Sequence, residues 1–164
     1  MYFQMKGIRN IFFACAIFIS MLLGMSACDN TRVYESWKDI ELLGWHEDSL
    51  CVFPFSIEKT NLSYNINLGV RNTNIYPYQN MWLILDISGP ENFNYQDTVK
   101  VNLADNTGKW YGKRSASFYS YVLPLYGGLN FSKSGDYTIS VKHGMRTEEL
   151  PGVVSLGFRV ETVK

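Results

Sequence analysis

Seven short apolar runs, most of them alternating with period two and divided by turn residues, constrain this chain more than any other feature. Tyr64, Ile66, Leu68 and Val70 fall on one face of a strand, with Asn65, Asn67 and Arg71 on the other. Such alternation means one face buried and one face wet. Thr98–Leu103, Tyr137–His143 and Val153–Glu161 repeat the pattern. Leu50–Ile57 is a further strand, and Pro54 within it, lacking an N–H, predicts an edge position or a bulge. Met81–Ile87 is nearly all apolar, which predicts a central strand buried on both faces. Phe118–Leu125 is another apolar, tyrosine-rich run. Gly89-Pro90, residues 105–108, Gly127-Gly128, residues 134–136 and Pro151-Gly152 read as turns. No long helical period appears. The pattern predicts an all-β fold, a single antiparallel β-sandwich with jelly-roll-like topology.

The N-terminus is built differently. Lys6 and Arg9 precede an apolar run from Ile11 to Leu23, and Gly24-Met25-Ser26-Ala27 leads to Cys28. A basic start, a short apolar stretch and small residues at the cut form a secretory signal, and the run is too short to span a bilayer as a helix. Its ending on cysteine marks a bacterial lipoprotein, with lipid on the Cys28 sulfur and cleavage before that residue. The expected organisation is therefore a signal peptide over 1–27, a lipidated tether over 28–36 and a β-sandwich domain over 37–164. Within the domain, residues 37–45 suit a short helical turn or a cover strand.

Cleavage would remove Lys6 and Arg9 and no acid, leaving 13 basic against 15 acidic side chains. No basic surplus remains to neutralise phosphates, so nucleic acid is not expected as a partner. Cys51 would be the one thiol left, in an apolar setting that predicts an inert buried side chain. His46 and His143 lack ligand spacing, the carboxylates form no evident catalytic pair, and no phosphate loop or serine elbow is present. Neither a metal, a cofactor nor an enzymatic activity is expected.

Two loops are candidates for recognition. Tyr76 and Tyr78 flank Pro77 in a stiffened connection. Trp110 and Tyr111 follow the Asp105–Gly108 turn with basic neighbours. Exposed together, Trp110, Tyr111 and Tyr76 would suit a protein contact or, alternatively, a saccharide. Arg146, after His143-Gly144-Met145, is offered either to an acid inside the fold or to a partner.

These pieces in this order resemble the gliding-motility lipoprotein GldH family of Bacteroidota. The resemblance rests on the lipid-type cysteine, Asp48 with Phe53, Tyr64–Leu68, Arg71-Asn72-Thr73, Tyr76-Pro77-Tyr78 and Asn80-Met81-Trp82-Leu83. It continues through Asp97-Thr98, Leu103-Ala104-Asp105, Gly108-Lys109-Trp110, His143-Gly144-Met145-Arg146, Gly152-Val153 and Arg159-Val160-Glu161. It covers nearly the whole mature chain. It implies a non-catalytic, lipid-anchored envelope protein acting through other envelope proteins, and no catalytic residues come with it. Asp29 stands alone after Cys28, which favours the outer membrane with the domain facing the periplasm over export to the surface. Ser49, in Asp48-Ser49-Leu50, and Thr98, in Asp97-Thr98-Val99, resemble O-glycosylation sites of the phylum.

Overall fold

The computed structural model describes residues 31–163, so the expected signal peptide, Cys28 and the start of the tether lie outside the described residues. The strands are β1 (Arg32–Asp39), β2 (Trp45–His46), β3 (Cys51–Ile57), β4 (Ser63–Asn72), β5 (Asn80–Ser88), β6 (Asn94–Asn102), β7 (Lys113–Ser115), β8 (Phe118–Asn130), β9 (Gly135–His143), β10 (Glu149–Leu150) and β11 (Val153–Thr162). One sheet runs β1-β11-β4-β8-β7, the other β3-β9-β5-β6, and β2 with β10 forms a small ladder. Every pairing is antiparallel.

The eight main strands pair in a nested manner. β5 pairs with β6, β4 with β8, β3 with β9 and β1 with β11. A long hairpin of that kind, rolled into two facing sheets, is a jelly roll. The inward set of β4 is Tyr64, Ile66, Leu68 and Val70, all buried, as the alternation predicts. Cys51, Phe53, Phe55 and Ile57 point inward from β3. That strand is an edge with β9 as its one partner, which is where Pro54 does no harm. Phe53 meets Phe158 across the two sheets edge to face, with centroids 4.9 Å apart. Phe55, Tyr64, Phe131 and Tyr137 close one end of this core. The Cys51 thiol is buried, and burial raises its pKa.

Three expectations need correction. Residues 32–36 are strand rather than tether, because β1 zips onto β11 from Arg32 onward. Trp37 explains why that strand holds. It sits opposite Gly157, which is opposite Gly69, so two neighbouring strands offer bare backbone where the indole lies. A Cβ at either glycine would come within 2.5 Å of the ring. The guanidinium of Arg71 then stacks on the indole at 3.9 Å, and Phe118 lies 5.5 Å away on that same cation. Second, Gly127-Gly128 is no turn. It lies inside β8, where the register with β4 slips, and the Gly128 N–H is bound by the Asn65 side chain. Third, β5 is central but not buried on both faces, since Met81, Leu83, Leu85 and Ile87 point inward while Trp82 and Ile84 face outward.

Candidate functional site

The outward residues of β5 begin a groove. About 530 Å³ of open space lies over Trp82 at the rim of the smaller sheet, lined by Tyr78, Asn80, Trp82, Gly144, Met145 and Arg146. Tyr78 and Arg146, far apart in sequence, reach it from opposite sides. Tyr78 arrives on the loop ahead of β5, and Arg146 on the turn after β9.

Both approaches are held by the interior. Tyr76 is only 3% exposed, and its hydroxyl donates to the Asn80 carbonyl at 2.7 Å. Burial raises its pKa far above the ordinary tyrosine value, so it stays a neutral donor. Its ring meets Tyr78 on one side and Trp110 on the other, at 5.9 and 6.2 Å. Gly152 permits this seat. It has a φ of +80°, and a Cβ there would lie 2.2 Å from the Tyr76 backbone nitrogen.

On the other side, His143 is buried beneath the turn that carries Arg146. Its Nε2–H donates to the Trp45 carbonyl at 2.8 Å, since a carbonyl can only accept. Its Nδ1 accepts the Met145 N–H at 3.3 Å. The Nδ1 contact requires the neutral ring, since a protonated Nδ1 cannot accept, and burial lowers the imidazole pKa in the same direction. The Gly144 N–H and Trp82 N–H complete the clamp, donating to the Trp82 carbonyl at 2.8 Å and to Met145 Sδ at 3.3 Å.

What this leaves outside is apolar with a cationic border. Trp82 is 41% exposed, and Ile84 beside it is exposed as well. Lys100 faces Trp82 on β6, and Lys142 faces Ile84 on β9. Arg146 is exposed and makes no ion pair or hydrogen bond with any described residue. No group of three or more His, Cys, Asp or Glu that could hold a metal occurs among the described residues.

The other candidates are placed differently. Tyr76 is a buried support, not a contact residue. Trp110 is half-buried and packs on Tyr119 at 5.8 Å, bridged through its backbone to Ala104. Tyr111 is 50% exposed but turns to Tyr121, away from Trp110. The exposed stack of Tyr76, Trp110 and Tyr111 is therefore not formed. Asp105 accepts from Thr107 and Lys109 and stiffens that loop, and these donors hold its carboxyl pKa down. Ser49 and Thr98 are both exposed, Thr98 on the outer face beside Ile84. Trp82 is the residue that sequence reading missed. An apolar residue in an apolar strand looks like core, and the one available signal was its odd parity relative to Met81, Leu83 and Leu85.

A family model described as GldH lipoprotein matches residues 32–160. The gliding motility lipoprotein GldH homolog of Christiangramia forsetii is 31% identical over 156 residues, covering 91% of this chain and 95% of that protein. Gliding motility lipoprotein GldH of Flavobacterium johnsoniae is 28% identical over 142 residues, covering 82% and 87%. Among solved structures, an exo-beta-1,3-galactanase from Phanerochaete chrysosporium aligns with a TM-score of 0.37 and 11% identity, over 79% of this chain and 26% of that one. That score is too low for a common fold to follow. The matching relatives are named as lipoproteins, with no catalytic family among them. From Arg32 to Val160, across all eight main strands, the chain belongs to the GldH lipoprotein family.

Proposed function

We propose that this lipoprotein is held to the cell envelope by lipid on Cys28 and works as a docking module there, without chemistry of its own. The observation that carries the reading is the meeting of Tyr78, Trp82 and Arg146 at one groove. Half-exposed aromatic rings beside a free guanidinium are the residue types that dominate protein contacts. The border formed by Lys100, Lys142 and Arg146 selects for the partner's charge. A segment presenting an apolar side chain next to a carboxylate would fill the groove and pair the cation. The names of the matching relatives, gliding motility lipoproteins, support a partner among envelope proteins of the motility apparatus. The outer membrane, with the domain in the periplasm, is the location that fits the lone Asp29 after the lipid site.

The test is photocrosslinking in cells with benzoylphenylalanine in place of Ile84, on the outer face beside Trp82. A discrete envelope protein should be captured, and Trp82→Ala or Arg146→Glu should abolish the capture. Capture of abundant bystanders alone, unchanged by either substitution, would end the proposal. Saccharide binding on a glycan array, lost in Trp82→Ala, would reassign the groove to a sugar.

A further inference from the structure

The end of the sandwich opposite the groove has its own opening. Between β6 and β8 lies a cleft of about 240 Å³, lined chiefly by Ile87, Phe93, Tyr95, Tyr126, Leu129 and Tyr137. Among the described residues, no charged side chain contributes to its lining. Of the polar tips around it, those of Tyr126, Tyr137 and Asn130 are already engaged, and the Ser132 hydroxyl has no partner among the described residues. The Tyr126 hydroxyl donates to Asp97 at 2.8 Å, the Tyr137 hydroxyl to the Lys133 carbonyl at 2.9 Å, and Asn130 accepts from Ser63 at 2.9 Å. What remains for an occupant is mainly aromatic and aliphatic surface. An apolar cavity of ~150 Å³ is enough to hold benzene, so this cleft has room for the end of a hydrocarbon chain. Phe93 and Tyr95, at its mouth, are 43% and 45% exposed.

The position of the cleft indicates where that hydrocarbon comes from. Thr31 accepts the Thr162 N–H, Thr162 pairs with Tyr64, and Tyr64 pairs with Leu129. The described chain therefore begins at the same end as the cleft, three strand spacings or about 14 Å across the sheet. Asp29 and Asn30 alone separate Cys28 from Thr31, an extended reach of about 10 Å. A tether that short leaves no space for a protein between this end and the bilayer.

We propose that the cleft takes up an acyl chain of a bilayer phospholipid and so seats this end of the domain on the membrane. Phe93 and Tyr95 then lie at headgroup level, where aromatic rings are favoured. The proposal rests on the lipid anchor at Cys28. The anchor's own chains are the competing occupant, and because they carry no photolabel the experiment separates them from a bilayer phospholipid. Seated this way, the domain points its groove away from the membrane, since β5 runs about 26 Å from Asn80 to Ser88 between the two openings.

The full lipidated chain in phosphatidylethanolamine nanodiscs provides the test, with a phospholipid carrying a diazirine near the end of one acyl chain. Irradiation and peptide mapping should place crosslinks on residues 126–131 and on Phe93 or Tyr95. Leu129→Trp, which fills the cleft, should lower them at least fivefold while the protein stays in the discs. If that variant fails to fold, Tyr95→Asp at the exposed mouth should have the same effect. Crosslinks confined to residues 28–31, or unchanged in these variants, would overturn the proposal. Intact mass separates the two readings. A bare Cys28 removes the anchor and this inference together, whereas a lipidated Cys28 without crosslinks at the cleft removes only this inference.

Discussion

His143 Nδ1 accepts the amide proton of Met145, while its other nitrogen donates to the carbonyl of Trp45. One neutral ring thus fixes the turn that carries Arg146. Burial is the main cause of its lowered pKa, opposed by the Trp45 carbonyl and by Glu47 and Glu149. Between the folded and unfolded pKa values the unfolded chain binds the extra proton, so stability rises with pH in that window. It should be complete above about pH 6.5 and fall as the pH drops toward the lower folded value. Urea unfolding at pH 7.5, 6.5 and 5.5 checks this. His143→Ala should cost about 1–3 kcal/mol at pH 7.5, because it leaves the Trp45 carbonyl and Met145 N–H unpaired, and should cost less at pH 5.5, where the wild type has lost part of the His143 contribution. A wild-type midpoint flat across the three values would contradict the assignment.

Trp37 lies on backbone at Gly69 and Gly157, which gives a sharp steric prediction. Gly157→Ala should displace the indole and cost about 1–3 kcal/mol, the usual range for overpacking. Differential scanning calorimetry measures the loss. Arg71 loses its cation–π partner in that variant, so Arg71→Ala should cost less in the Gly157→Ala background than in the wild type.

Phe158 and Phe53 join the two sheets. Phe158→Ala leaves a cavity at the centre of the sandwich, and about 3–5 kcal/mol of stability should be lost. Near-ultraviolet circular dichroism with urea titration would show it. Tyr76→Phe is much milder. It removes one hydrogen bond to Asn80, worth about 0.5–1.5 kcal/mol, and should weaken capture at the groove without unfolding the chain.

Cys28→Ala should move the protein from the detergent phase to the aqueous phase in a Triton X-114 partition. Two or three acyl chains give stable anchoring, and nothing else near the tether is basic enough to hold a membrane surface. Retention of the variant in the detergent phase would place the anchor elsewhere.

The strands of the core were legible because one face of each is wet. Tyr64, Ile66, Leu68 and Val70 announce their side by parity alone, and Pro54 announces an edge. β1 was hidden for the opposite reason. Its outward Glu35 and Arg32 read as a polar tether, and its grip on the sheet depends on glycines well over a hundred residues away in one case. The double glycine of β8 is a bulge, and nothing in a Gly-Gly pair separates a bulge from a turn. Tyr78 and Arg146 were both recognisable as candidates, but only the β9–β5 pairing shows that they share a groove with Trp82. Tyr76 looked like their equal and is instead their support, a distinction made by a Gly152 turn from another part of the chain.

The nested pairing sets an order of assembly. The inner hairpin of β5 and β6 closes over a handful of residues, whereas β1 has no partner until β11, the last strand made, is present. Loop closure over nearly the whole domain is slow and entropically late. On the proposed anchor at Cys28, a polypeptide wired in this way would stay open during export, and its final zipper would close only after β11 has emerged.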